Sequence, residues 1–369
     1  MKFDNDKRIV MTLDAGGTNF VFSAIQANRE IIKPKAVSAQ YENLSDLLHL
    51  IINGFWGVYK ELRDKPAAIS FGFPGPIDAP KGIIGDLENI PCFRGGVALG
   101  PMLENHFGIP VFINNDADLF TYGEAIGGLL PTINSKLEMT GSLKKYKNLL
   151  GVTLGTGFGG GFVQDGKMLM GDNSSQAEIN RMRNVLYPNC SVEESVSIRG
   201  IKRVYHRESK LDNNSEISSK DIYEIGIGER DGNPEAAKTA FEELATAAAD
   251  SLANASTLFD GLVVLGGGIS AAHKLFLPKL VSEMNSKFRK MNGENLDRLE
   301  VEVFNLESDE HLKQFLKGNP KEIKIPFSEK TIVYDSKKRI GVGVSKLGTS
   351  FAVSLGAYAF ALDKLDNLS

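Results

Sequence analysis

Cysteine is nearly missing from this chain: Cys92 and Cys190 are the only two in 369 residues. Two cysteines make no disulfide framework, so a reducing cytoplasm is the default expectation. Nor can they alone build a four-cysteine zinc site. The five histidines (His49, His106, His206, His273 and His311) show no metal-ligand spacing. No apolar run reaches the length of a membrane span, and the opening Met1-Lys2-Phe3-Asp4-Asn5-Asp6-Lys7 lacks the apolar core of a secretion signal. Excess positive charge is missing too. The net charge is −4, which argues against nucleic-acid and membrane partners. Two common phosphate signatures are also lacking, Gly-x-x-x-x-Gly-Lys-Ser/Thr and a Gly-x-Gly-x-x-Gly between strand and helix. The commonest P-loop and dinucleotide readings are thereby excluded.

Glycine is plentiful, and much of its information lies in two turns. The first is Asp14-Ala15-Gly16-Gly17-Thr18-Asn19, between the strand-like Arg8–Leu13 and Phe20–Ile25. The second is Leu154-Gly155-Thr156-Gly157-Phe158-Gly159-Gly160, between Asn148–Thr153 and Gly161–Gln164. Clustered glycines let backbone N–H groups converge on one small space, a concavity suited to phosphate. Two of them suggest a duplicated domain gripping one polyphosphate from two sides.

At this length, with 42% hydrophobic and 24% charged residues, the chain can hold two domains and a large core. Strand-like and helix-like segments alternate, which argues α/β. Leu44–Arg63 has apolar residues at helical spacing. Ala67–Gly72 and Val111–Ile113 read as buried strands, and Ala117–Gly127 as a short helix. Asn233-Pro234-Glu235 starts a helix that runs to about Leu258. Leu262–Leu265 is an apolar strand, Ser270 is placed to cap a helix over Ala271–Lys290, and a last helix covers Gly348–Leu365. Thr132–Lys147, Glu208–Asp231 and Asn292–Lys338 read as surface excursions. The last is long enough to hold elements of its own.

Individual side chains carry two readings each. Asp14 either holds hydrated Mg²⁺ between itself and phosphate or is a hairpin-turn aspartate bonded to its own backbone. Asp116, behind Asn114 and Asn115, is either the N-cap of the helix that follows or a general base for a substrate hydroxyl, and the two are compatible. Gly266-Gly267-Gly268 is either a tightly packed helix entry or a floor against which a nucleoside lies. Glu178, Arg181 and Glu193 are either ligands or a solvated surface with local ion pairs, Glu178 and Arg181 standing at helical spacing.

Taken in order along the chain, these motifs resemble the ROK family of sugar kinases and repressors. The match runs through Asp14–Asn19, Gly72-Phe73-Pro74-Gly75-Pro76-Ile77-Asp78, Leu87-Glu88-Asn89-Ile90-Pro91, Asn115-Asp116-Ala117 and Gly155–Gly160. It continues through Ala177-Glu178-Ile179, Leu265–Gly268 and Gly356-Ala357. The resemblance implies a two-domain actin-like ATPase (ribonuclease H-like) fold with a cleft between domains. The domains are expected at 1–117 and 118–369, with the last helix returning to the first. Gly16, Gly17, Thr18 and Asn19 correspond to one phosphate loop with Asp14 near Mg²⁺, Thr156 and Gly157 to the other, and Gly266, Gly267 and Gly268 to the adenosine segment. Gly75, Asn89, Asn115, Asp116, Glu178 and Glu193 fall where the family holds its sugar, and Asp116 is similar to the catalytic base.

One departure stands out. The family usually has Gly-Glu-x-Gly-His, whose histidine touches sugar and a structural zinc, together with a Cys-x-Cys-Gly-x-x-Gly-Cys run. Here Arg181 takes the histidine position and Cys190 alone remains nearby. Arginine is a donor-only cation, so no zinc is expected and packing and polar bonds must hold this loop. The reading is an ATP- and Mg²⁺-dependent hexose kinase acting on a 6-OH, glucose-type sugars first, in a cytoplasmic homodimer or homotetramer. One rival is a sugar-responsive repressor, opposed by the thirteen residues before Asp14, too few for a DNA-binding module. The other is a non-catalytic sugar sensor, which Arg181 keeps open.

Overall fold

A computed structural model describes residues 2–16, 19–75, 77–85, 93–210 and 216–368. The chain forms two compact units. Unit 1 comprises Met1–Pro131, Gly161–Ala177 and Lys346–Ser369, and unit 2 comprises Thr132–Gly160 and Glu178–Ser345.

In unit 1, β1 (Val10–Ala15) and β2 (Asn19–Gln26) form an antiparallel hairpin. Short β3 (Arg29–Glu30) and β4 (Lys35–Ser38) both pair with β2. On the other side β5 (Ala68–Gly72) runs parallel to β1, and β8 (Val111–Asn114) parallel to β5. Between them lies a small hairpin of β6 (Ile77–Asp78) and β7 (Ile83–Ile84). Strand β5 is buried throughout, as its unbroken apolar run requires. Helix α1 (Leu44–Tyr59) begins at Asn43, whose side chain accepts from the Asp46 amide, and buries Leu47, Ile51, Phe55 and Val58 at helical spacing. Phe55 meets Phe22 edge-on at 5.2 Å and Phe71 at 5.7 Å. Helix α2 (Leu99–Phe107) leads into β8.

Helix α3 (Asp116–Ile126) follows β8 and packs on α10 (Thr349–Leu368). A cut after Ala117 would fall inside α3, whereas unit 1 keeps the whole of α3 together with α10. The reason is close packing. A methyl group on Gly356 would stand 1.9 Å from the Leu119 carbonyl oxygen, and one on Gly123 equally near that of Ala352.

Unit 2 is built on a parallel array. Strand β12 (Leu262–Gly266) lies between β9 (Leu149–Leu154) and β18 (Arg339–Val344), and β15 (Glu302–Asn305) adds outside β18. Next to β9 comes β10 (Phe158–Gln164), whose far half pairs with β11 (Lys167–Leu169) in unit 1. Helix α7 (Pro234–Leu258) starts as its sequence dictates, with the Asn233 side chain accepting from the Ala236 amide and proline next. It packs against α5 (Ile198–Ser209), α6 (Ser219–Gly226) and α8 (His273–Met284).

The surface excursions need correction. Thr132–Lys147 contains most of helix α4 (Leu129–Met139), whose Ile133 and Leu137 are buried. Glu208–Asp231 contains α6, closed by a reciprocal Ser218–Asp221 capping box. Asn292–Lys338 contributes the core strand β15 and helix α9 (Asp309–Lys317). Strand β14 (Asn295–Asp297) pairs with β13 (Lys287–Arg289), and β16 (Pro320–Lys324) with β17 (Thr331–Asp335), in two short hairpins. Ser270 does not cap α8. Its hydroxyl donates to the Gly267 carbonyl at 2.7 Å inside a 3₁₀ turn, and α8 begins at His273 and stops at Met284.

Candidate active site

The candidate residues of unit 1 form a row across the carboxyl ends of three parallel strands. Asp14 on β1 is in register with Gly72 on β5, and Gly72 with Asn114 on β8. Strand spacing puts the outer two about 10 Å apart. Open α/β sheets bind ligands at this edge. Asp14 is a half-buried strand residue paired opposite Val21, and not part of the turn. The turn itself starts at Gly16 and rejoins the sheet at Asn19, which is exposed and pairs with Ser38 of β4. Gly17 and Thr18 lie outside the described residues, as does Asn89.

The chain leaves β8 through Asn115 and Asp116. Asn115 takes the N-cap position, its side-chain oxygen accepting from the Ala117 amide at 2.8 Å. Asp116 is therefore the first helical residue and not the cap. It is exposed, with Oδ1 accepting from the same Ala117 amide at 2.9 Å. A carboxylate in the first turn also gains from the helix dipole. Buried Asn114 locks the corner, its Oδ1 accepting from the Asn115 amide at 2.8 Å and its Nδ2 reaching Met170 Sδ at 3.3 Å. Gly72 keeps room for this corner, since a methyl group there would stand 3.1 Å from the Asp116 Cα. Gly75 returns beside it, 3.5 Å separating the place of its missing Cβ from Asn115 Nδ2. Asp14, Gly75, Asn115 and Asp116 thus share one end of the unit 1 sheet.

In unit 2 the second glycine turn and the Gly266–Gly268 segment adjoin. Gly155 and Gly157 close the β9–β10 hairpin, with the Gly155 amide donating to the Gly157 carbonyl at 3.0 Å, and Thr156 projects from the tip, exposed. Gly266 is in register with Thr153 on β9. Gly267 has φ +80° and lies so near the end of β9 that a methyl group would come within 2.2 Å of the Leu154 carbonyl oxygen. Both demands admit only glycine. Around Gly268 there is open space.

Glu193 sits on this turn. Its Oε2 accepts from the Phe158 amide at 3.0 Å, and its Oε1 pairs with Arg199 at 3.0 Å. Glu178 and Arg181 bracket a 3₁₀ turn, both exposed, with the Arg181 amide donating to the Glu178 carbonyl at 3.0 Å. The Met182 carbonyl then accepts from the Val192 amide at 2.8 Å, which fastens this turn to the one carrying Glu193.

Fully buried Asn184 ties the intervening loop together. It donates to Ser195 Oγ at 2.8 Å and to the Ser191 carbonyl at 3.3 Å, and accepts from the Leu186 and Tyr187 amides at 3.0 and 3.2 Å. Among the described residues no group of three or more His, Cys, Asp or Glu could hold a metal ion. Sequence reasoning missed both Asn184 and Arg199. Asn184 left no signal, while Arg199 stands five and six residues beyond Glu194 and Glu193 in a segment read only against its glutamates.

A family model described as the ROK family matches residues 10–307. Against the N-acetyl-D-glucosamine kinase of Vibrio cholerae the chain is 31% identical over 170 residues, 46% of this chain and 51% of that one, so the match spans about half of that relative's length. It is 26% identical to the glucokinase of Halalkalibacterium halodurans over 287 residues, 70% of this chain and 80% of that one. A crystal structure of the glucokinase from Parabacteroides distasonis superposes with a TM-score of 0.88 at 52% identity, covering 98% of this chain and 99% of that one. The fold is accordingly the α/β actin-like ATPase fold of these proteins, and the chain belongs to the ROK family.

Proposed function

We propose that this chain is a hexose kinase that transfers the γ-phosphoryl group of ATP to the 6-hydroxyl of a sugar, glucose before other hexoses. The observation that carries the reading is the corner after β8, where Asn115 takes over the capping and an exposed Asp116 carboxylate stands one strand from β5 and two from Asp14. Similarity to glucokinases over most of the chain supports the choice of sugar.

The residues fit the nucleotide. The Gly155–Gly157 turn exposes its tip, and the Gly266–Gly268 turn beside it leaves open space at Gly268. In this reading Gly16–Asn19 and Thr156–Gly157 bind phosphates and Gly266–Gly268 carries the nucleoside. Asp14, at a strand end beside the first loop, suits hydrated Mg²⁺, which takes carboxylate, water and phosphate oxygens. When bound, the cation offsets charge on the phosphate oxygens. Phosphoryl transfer otherwise asks the protein mainly for positioning.

Asp116 accepts the proton of the attacking hydroxyl. Gly75, Asn89, Asn115, Glu178, Arg181 and Glu193 are the proposed sugar contacts, their amides, carboxylates and guanidinium matching a ring of hydroxyls that both donate and accept. Arg181, a donor where relatives use histidine, leaves the loop without a zinc ligand, and Asn184 supplies cross-links in its place. An ATP consumer of this kind belongs in the cytoplasm.

The test is Asp116→Asn. Loss of a positioned base lowers kcat by about 10²- to 10⁴-fold, while Mg-ADP affinity, read by calorimetry, stays near that of the unmodified protein. A variant that turns over at near-normal rate removes Asp116 from this role.

A further inference from the structure

Three hydrogen bonds converge on the second glycine turn from the segment that precedes and opens α5. The Gly155 carbonyl accepts from the Ile198 amide at 2.9 Å. The Phe158 amide donates to Glu193 Oε2 at 3.0 Å. A guanidinium nitrogen of Arg199 approaches the Thr156 carbonyl at 3.4 Å, and its other terminal nitrogen holds Glu193 Oε1 at 3.0 Å and Glu194 Oε1 at 2.8 Å. The same carboxylate also lies close to Gly157, its Oε2 2.7 Å from where a methyl group there would stand.

This arrangement poses an electrostatic problem for an anion site. A carboxylate is fixed against the turn that, on the hexose kinase reading, receives phosphate, and a second carboxylate lies beside it. Unscreened, both would repel the ligand. Arg199 bridges the two, and its side chain remains 47% exposed, so the guanidinium is both charge partner and neighbour of the turn.

We propose that Arg199 is a positioning residue for the nucleotide: it fixes Glu193 and the Thr156 carbonyl, and so sets the shape of the second glycine turn, while offsetting the Glu193 charge behind it, Arg203 also pairing with Glu194 at 3.5 Å. The proposal rests on the kinase reading for its ligand, but not on turnover for its test. Arg199 does not take part in the proton transfer assigned to Asp116.

The experiment compares Arg199→Ala and Arg199→Lys with the unmodified chain, reading Mg-ADP affinity by calorimetry and the KM values for ATP and sugar where turnover is present. In Arg199→Ala the ADP dissociation constant, read without sugar, and the KM for ATP rise roughly three- to tenfold, and the KM for sugar rises as well because Arg199 also holds Glu193, a proposed sugar contact. Arg199→Lys keeps the charge but not the fork, and recovers part of the loss. A variant that merely loosened the fold would lower the thermal midpoint along with ADP affinity, and Lys would not rescue it. ADP affinity unchanged in Arg199→Ala, or equal losses for Ala and Lys, overturns the proposal. If the unmodified chain binds Mg-ADP yet releases no ADP with any hexose, the kinase reading fails, and Arg199 is still decided by the calorimetry. If it binds no Mg-ADP, both fail.

Discussion

At Asn115 and Asp116, adjacent residues share the start of one helix. Asn115 fills the N-cap, so the carboxylate of Asp116 sits in the first turn, exposed at the end of the sheet. Had Asp116 itself been the cap, its oxygen would be committed to the second or third amide of the helix. Asn115→Ala should cost about 1 kcal/mol of stability in urea unfolding, the usual worth of such a cap. No measurable change would mean that the Asp116 contact to the same Ala117 amide suffices. The sequence Asn-Asn-Asp announced that a helix starts here but could not say which side chain caps it, since all three are good caps and the choice depends on where β8 ends. Asn184 was illegible for a different reason. Its bonds reach backbone groups and a serine across a loop without periodicity, so neither spacing nor propensity marks it.

At the scale of elements, local signals proved reliable where one short stretch decided the outcome. Asn233-Pro234 opens α7 because capping and the proline ring act within a single turn. Ser270 failed because Gly267, with its positive φ, drew the hydroxyl into a 3₁₀ turn before α8 began. Strand β15 was hidden in a polar stretch, since only its partner β18 makes Val303 and Phe304 core residues.

That region also holds the most demanding ion pair of unit 2. Arg339, at the start of β18, is fully buried, its Nη1 2.5 Å from Asp335 Oδ2 and its Nε donating to the Phe315 carbonyl at 2.6 Å. Removing one partner of such a pair leaves a buried charge uncompensated. Asp335→Ala should therefore lose about 3 kcal/mol in denaturant unfolding. A loss below about 1 kcal/mol, the range of exposed pairs, would show that water reaches Arg339.

The pair also carries a pH signature. Burial pushes the Asp335 carboxyl up, but the Asn319 amide, the Arg339 guanidinium and the Lys337 amide together bring it below the ordinary carboxylate value. A carboxyl lowered in the folded state contributes stability that is complete above its unfolded pKa of about 3.9 and is lost as pH falls through the lower folded value. Stability should accordingly fall on acidification below about pH 4, and Asp335→Asn should flatten that part of the profile. An identical acid limb in both proteins would contradict this.

For the whole molecule, each unit presents its candidate residues at the carboxyl ends of parallel strands: Asp14, Asn115 and Asp116 in unit 1, the Gly155–Gly157 and Gly266–Gly268 turns in unit 2. Their places at strand ends were legible because glycines and carboxylates cluster in sequence just where these strands stop. The division of the chain was less so. Helix α3 belongs with α10, more than two hundred residues further along, through a close glycine contact that no local pattern discloses.

Sugar-dependent ADP release by the purified chain, followed with ATP and Mg²⁺ across a panel of hexoses, bears most directly on the central claim. The account predicts turnover with glucose or a close relative that disappears in Asp116→Asn. Sugar binding by calorimetry without ADP release from any hexose would contradict it, and would make the chain a sugar-binding protein that has kept the fold without the transfer.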